Sequence, residues 1–434
     1  MRAMRLLLMM IVVSSLAATY AQEDLPGIDP ATVVNLTPII GQQARVNTSA
    51  GDSLRLRQTP GGDLLLSMDA GLIVEVIGGP EELDGRTWWQ VQTPDGTVGW
   101  TVGEFIDDEE MSYTRTLAPL CPFSEGRIAY IDAQPVDLFG GSLLIDDIYT
   151  SAPDGSDKCN LTHSGWQLQR DGEQLNAATG VNSFESLTWS PDGSKLAFTA
   201  FERFAEGGIR YLNPVYTINA DGSGLTVLTP PDAWYPEVVW SPDGTRIAYL
   251  RRPEGRDFEQ VWLMNSDGSN PRPLTSEDSS KRMLTWLTTD EIIFSVIYQD
   301  DDPANDGIFR IGSDGSSTEL ILPDIGAIPH LNWSPDGSKV AISDLLNGND
   351  ITIYGADGTL LHDIENAQGD STAFDAPAWA PDGQRLAFWH WYSSADGSRL
   401  IYDLLMVTPG EGEPQVLVAD VAYPIGDINT PTKP

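Results

Sequence analysis

Histidine, cysteine and positive charge are all scarce in this chain. Its 434 residues hold four histidines, two cysteines and 25 lysines and arginines against 63 aspartates and glutamates. The histidines (His163, His330, His362 and His390) are scattered, and no HExxH, GxSxG, Walker or Rossmann fingerprint stands in a suitable context. Gly51-Asp52-Ser53-Leu54 spells a GDSL esterase block, but it opens a strand pattern with no α/β alternation around it. The formal net charge of −38 and the pI near 4.1 exclude nucleic acid and anionic membrane surfaces as partners. Two cysteines, Cys121 and Cys159, exclude a disulfide framework and leave either one bond or two free thiols. After the first twenty residues no run is apolar enough to cross a membrane.

The first 21 residues read as a secretory signal. Arg2 and Arg5 precede an apolar stretch from Leu6 to Ala18, and Thr19-Tyr20-Ala21 offers a small residue before a cut. The expected location is therefore exported: periplasmic, envelope-associated or extracellular. Residues 22–43 read as a polar linker. Residues 44–107 read as a small β unit, with strand candidates at Ser53, Gly71, Thr87 and Thr97 separated by Gly- and Pro-rich turns. The acidic residues 107–110 open a second linker that runs to 118.

Repetition governs the rest. LTWSPDGSKLAFTA at Leu187–Ala200 recurs as VVWSPDGTRIAYL at Val238, LNWSPDGSKVAIS at Leu331 and PAWAPDGQRLAFW at Pro377. LTWLTTDEIIFS at Leu284 is a decayed copy, and CPFSEGRIAYI at Cys121 a shorter relative. Trp189, Trp240, Trp286, Trp333 and Trp379 stand 51, 46, 47 and 46 residues apart. Proline presets the turn and glycine accepts its positive φ. Asp192, Asp243, Asp336 and Asp382 recur because that turn needs an acceptor. A second Asp-Gly turn shares the period, at Ala152, Asn219, Asn265, Gly312 and Gly355. Four short strands per period of about 45 residues predict propeller blades. Six strand–turn–strand units predict six blades within 119–427. The DVAYPIG run at Asp420–Gly426 is expected to close the ring beside the first blade, and 428–434 to form a tail.

These repeats resemble the WD40-like repeats of the TolB propeller family. Residues 44–107 resemble the bacterial SH3 family, through SLRLRQTPGG at Ser53 and WWQVQTPDGTVGWTVGEFI at Trp88. The resemblances imply an all-β chain, a small SH3-like barrel followed by a six-bladed β-propeller. They further imply an exported, non-enzymatic binding protein whose partner is a protein or a cell-wall component. Trp88, Trp89 and Trp100 become candidates for a groove on the SH3-like unit. On the propeller, the stereotyped turns share one rim and the long irregular loops the other, so recognition is expected on the variable rim. Its candidates are Phe204, Trp234, Tyr235, Arg251, Arg252, His390, Trp391 and Tyr392. At the channel mouth Glu185, Glu237, His330 and Asp375 precede the repeat tryptophans and form a candidate divalent-metal set, with Arg282 opposing it. No other cofactor is expected. The alternatives are an accessory propeller of a peptidase system and a metal-dependent propeller hydrolase.

Overall fold

The computed structural model describes residues 37–48, 53–107, 112–121, 127–138, 141–151, 158–163, 166–168, 174–175, 181–204, 210–253, 255–277, 279–297, 306–316, 318–323, 330–334, 336–344, 350–356, 358–366, 372–380, 383–394, 400–421 and 425–429. The expected signal segment, the Ala152 turn, Asp382 and the last five residues lie outside them. Among the described residues every regular element is a strand, and no helix is long and apolar enough to cross a membrane.

The chain forms a propeller arrangement with five blades, each built from consecutive antiparallel strands around one repeat tryptophan. The Trp189 blade runs Val181–Trp189, Lys195–Phe204, Val215–Asn219 and Thr226–Val227. In the Trp240 blade, Ala233–Trp234 and Val238–Trp240 both pair with Arg246–Pro253, which continues to Gln260–Asn265 and Arg272–Pro273. The Trp286 blade runs Ser280–Trp286, Glu291–Ile297, Gly307–Gly312 and Glu319–Pro323. The Trp333 blade runs His330–Trp333, Lys339–Asp344, Asp350–Gly355 and Leu360–Ile364. The Trp379 blade runs Thr372–Trp379, Leu386–Ser393, Leu400–Thr408 and Glu411–Val421.

A further four-stranded sheet joins distant parts of the chain. Ile425–Asn429 pairs with Ile128–Leu138, followed by Gly141–Ser151 and Cys159–Asn160. The pairing strand lies about five residues later than the DVAYPIG reading places it. Asp420 and Val421 still belong to the last strand of the Trp379 blade. Ile425–Asn429 also lies against Thr372–Trp379 and against Val181–Trp189.

The cores sit between sheets, not within them. Trp189 packs with Ile148 and Leu161 of the preceding sheet, and Trp240 with Ala197 and Val215 of the Trp189 blade. Trp379 packs with Ile351 and Ile353 of the Trp333 blade. A separate core, including Val46, Leu56, Met68, Val76 and Trp89, fills the N-terminal unit.

That N-terminal unit is one ten-stranded sheet, and it is not limited to 44–107. Residues 112–119, read from the sequence as linker, are strands: Ser112–Arg115 pairs with Val98–Asp107, and Leu117–Pro119 with Gln43–Val46. The chain also comes back to this sheet after entering the propeller, since Trp166–Leu168 pairs with Ser112–Arg115 and Gln174–Leu175 with Trp166–Leu168. No turn grammar announces this return, because it follows a strand of only two residues.

Buried polar bonds fasten the unit to the turn rim. Arg45, only 2% exposed, donates Nε to the Gly222 carbonyl at 2.7 Å, a guanidinium nitrogen to the Leu161 carbonyl at 3.3 Å and another to Asn47 at 2.8 Å. Burial lowers its pKa to about 10, against the raising influence of Asp147 and Asp221. Arg115 bridges to the fully buried Asp147 at 3.1 Å, and Asn160 and Thr162 each donate to that carboxylate at 2.7 Å. Cys121 and Cys159 are disulfide-bonded, with Cα atoms 5.8 Å apart. Cys121 stands beside the Asp-Gly turn of the next blade, its N–H on the Asp221 carbonyl at 2.8 Å.

Two outcomes follow from these contacts. Deleting residues 422–434 bares the edge of Ile128–Leu138, and the melting temperature is expected to fall well beyond the loss of a free tail; an unchanged value refutes the closing role. Arg45→Ala leaves buried carbonyls without donors and is expected to cost about 3 kcal/mol in chemical denaturation.

Candidate functional site

The two rims of the propeller are built differently. On the turn rim the three SPDG motifs form the same network. Ser190 donates to Asp192 Oδ1 at 2.6 Å, the Ser194 N–H and hydroxyl donate to the same oxygen, and the Lys195 N–H returns to Ser190 Oγ at 2.9 Å. The pattern repeats at Ser241-Asp243-Thr245 and Ser334-Asp336-Ser338. Gly193, Gly244 and Gly337 hold φ of 67–69°, open to glycine without strain. The two turn families bond to each other, as in the Ala220 N–H to the Ser194 carbonyl and the Ala356 N–H to the Ser338 carbonyl, both 2.9 Å. These aspartates are therefore occupied by backbone demands. Hydroxyl and amide donors pull the Asp336 pKa down to about 2 and lower that of Asp192. Burial works against the same donors at Asp243, which also ends below the usual range.

At the channel mouth three members of the expected metal set, Glu237, His330 and Asp375, hold bonds within the fold. Glu237 accepts the Leu284 N–H of the next blade at 2.8 Å. Ser186, at the equivalent position one blade earlier, accepts the Val238 N–H at 3.1 Å. His330 Nδ1 lies 2.7 Å from Asp375 Oδ1, again between blades, and the same oxygen accepts from Ser343 Oγ at 3.0 Å and the Ala376 N–H at 2.7 Å. Burial raises the Asp375 pKa, but His330 and these donors bring it below the ordinary value. Met283 and Ala376, both with positive φ, mark bulges in the first strands that receive these links. The side chain of Glu185 lies outside the described residues, and Arg282 is exposed. Among the described residues no three His, Cys, Asp or Glu side chains are grouped to hold a metal ion. Ser343 Oγ thus donates to the Asp375 carboxylate and lies 3.4 Å from the His330 backbone carbonyl.

The variable rim separates its candidates. Tyr235 is 1% exposed; its hydroxyl donates to Asp232 at 2.6 Å and its ring packs 5.9 Å from Tyr249, which removes it from the docking set. Desolvation, with Asp232, pushes its pKa up to about 12. His390 is likewise buried, between Phe374 and Tyr392, and burial lowers its pKa despite Asp403. Trp234, Arg251, Arg252, Trp391 and Tyr392 remain half-exposed. Arg251 stacks over Trp262 at 4.8 Å and pairs with Asp232 at 2.9 Å. Arg252 stacks over Trp234 at 4.2 Å and pairs with Glu259 at 3.2 Å. Tyr392 donates to Asp403 at 3.1 Å. The Phe204 side chain lies outside the described residues.

On the N-terminal unit Trp88 and Trp89 are buried, Trp88 beside the Leu83 carbonyl and Trp89 in the core. Of the three only Trp100, near the start of its strand, is half-exposed.

Sequence reasoning missed the blade-to-blade role of the basic residue that follows two of the turns. Arg246 lies 5.2 Å over Trp286 and Lys339 4.7 Å over Trp379, each reaching the tryptophan of the next blade. The signal was present as a Lys or Arg two residues after each turn glycine.

No family model matches the chain. Dipeptidyl-peptidase 5 of Porphyromonas gingivalis is 26% identical over 259 residues, which cover 48% of this chain and 37% of that protein. The chain thus matches well under half of that relative's length. Among solved structures, TolB from Acinetobacter baumannii is similar at 16% identity and a TM-score of 0.44, over 78% of this chain and 81% of that one. An oligogalacturonate lyase in complex with manganese is similar at 14% identity and 0.43, over 89% and 99%. A puromycin-hydrolysing peptidase of Mycobacterium tuberculosis is similar at 16% and 0.44, over 81% and 54%.

Acid should reveal the turn carboxylates. Their folded pKa values lie below the unfolded ones, so the stability they confer is present above about pH 4 and lost as the pH falls toward 2. Asp336→Asn is expected to flatten the fall in urea midpoint over that window. Glu237→Ala strands the Leu284 N–H and is expected to cost about 1–3 kcal/mol.

Proposed function

We propose that the chain is an exported, non-enzymatic binding protein that presents the variable rim of its propeller to a macromolecular partner, a protein or a cell-wall component. The observation that carries this reading is the division of the rims. The turn rim carries the N-terminal unit through Arg45, Asn47 and Cys121, while the variable rim leaves Trp234, Arg252, Trp391 and Tyr392 half-exposed. Large aromatics and arginines on one face are the residue types that dominate interfaces. The engaged channel-mouth carboxylates favour binding over catalysis.

In this reading the sheet completed by Ile425–Asn429 is a sixth blade, and the ring is six-bladed. The strands from Gln43 to Asp107 form an SH3-like barrel, enlarged at its edges, that anchors the protein to the envelope or to a peptide. The signal-like first 21 residues, the disulfide and the acidic charge all fit export. The similarity to a dipeptidyl-peptidase favours one second reading, an accessory propeller serving a peptidase.

Capture of partners from the native envelope, followed by titration of variants, tests the proposal. Alanine at Trp234, Trp391 or Tyr392 is expected to weaken binding by about 2 kcal/mol, roughly thirtyfold, while alanine at Asp192 or Asp243 lowers stability and leaves affinity intact. Unchanged affinity across the variable-rim variants refutes the face assignment. Recovery of a peptidase as the captured protein supports the second reading.

A further inference from the structure

The Trp240 blade holds a carboxylate that the fold uses only in part. Glu259 is 2% exposed and sits at the variable end of the blade, just before Gln260–Asn265. Its Oε1 meets a single guanidinium nitrogen of Arg252 at 3.2 Å. Its Oε2 is buried and has no hydrogen-bond partner. A buried carboxylate ordinarily has its lone pairs satisfied, and an arginine can do so with two parallel N–H donors. Arg252 does not. Its side chain is 37% exposed and lies across Trp234, which pairs with it in the neighbouring strand. It covers Glu259 with one bond and keeps its remaining face on the indole.

We propose that Glu259 is the seat for an arginine side chain of the partner, and that Arg252 occupies it as a weaker internal substitute. An incoming guanidinium would bond both oxygens of Glu259, and Arg252 would turn outward over Trp234. A lysine ammonium, a point donor, would satisfy the site less well. The net charge of −38 draws cationic partners toward the protein before any such contact forms. The ligand class is therefore an exposed arginine on a basic protein surface. This inference rests on the variable rim being the binding side.

Full-length Arg252→Ala empties the seat and leaves Glu259 buried without a counter-ion, so its melting temperature falls. N-acetyl-argininamide at millimolar concentration is expected to restore part of that loss in Arg252→Ala. It should bind this variant about tenfold more tightly than the wild type, read by isothermal titration calorimetry. The Arg252→Ala/Glu259→Gln double variant should gain nothing, and N-acetyl-lysinamide should restore less than the arginine probe. Equal effects on the single and double variants, or equal effects of the two probes, overturn the proposal. Should Arg252→Ala fail to fold, Arg252→Gln keeps the packing on Trp234 and carries the same comparison. If Glu259→Gln leaves affinity for the envelope partner unchanged while Trp391→Ala weakens it, the rim assignment stands and the arginine seat falls.

Discussion

The tryptophan wedged between successive blades is the contact on which the ring depends. Trp189, Trp240, Trp286, Trp333 and Trp379 are 5–8% exposed, and each closes a core shared with the sheet before it. Full burial of an indole is worth about 4–6 kcal/mol as an upper bound. At two of them polar contacts also fix the orientation. The Trp286 indole N–H points at the Val239 carbonyl at 3.4 Å and that of Trp379 at the Asn332 carbonyl at 3.2 Å, each in the preceding blade. The Lys or Arg beyond the preceding blade's turn lies over the ring, and Lys339 reaches on to the Gly383 carbonyl at 3.0 Å. Apolar area holds adjacent blades together, and at Trp286 and Trp379 these directional contacts add to it.

The second constraint is the junction with the N-terminal unit. Arg45 and Asp147 are charges taken almost wholly out of water, tolerable only because carbonyls, amides and a hydroxyl surround them. The return of Trp166–Leu168 to the N-terminal sheet laces the backbone through the same place. A unit fixed in this way is part of the propeller's turn rim, which differs from the flexible tether that a charged linker suggests.

The repeat was legible in the sequence because its causes are local. A turn that needs proline, an acceptor aspartate and a positive-φ glycine writes those residues at each recurrence, and hairpin order follows from them. What escaped is nonlocal. Glu237 and His330 look like solvent-facing ligands until the next blade brings the Leu284 amide and Asp375 beside them. Tyr235 sits in a polar loop string, yet its ring falls into the core because Asp232 and the Pro230 carbonyl receive its hydroxyl. Strands of two or three residues, such as Cys159–Asn160 and Leu117–Pro119, are too short for any period to mark them.

The sheet that unites Ile425–Asn429 with Ile128–Leu138 also imposes an order in time. Ile128–Leu138 leaves the ribosome early, but the strand that covers its edge emerges only after all five tryptophan blades. At 5–20 residues per second that interval is on the order of 15–60 s. Throughout it the nascent chain carries an open strand edge able to template pairing with another chain. Its yield is therefore a race between completion and aggregation, governed by the clock of synthesis as much as by the stability of the finished fold.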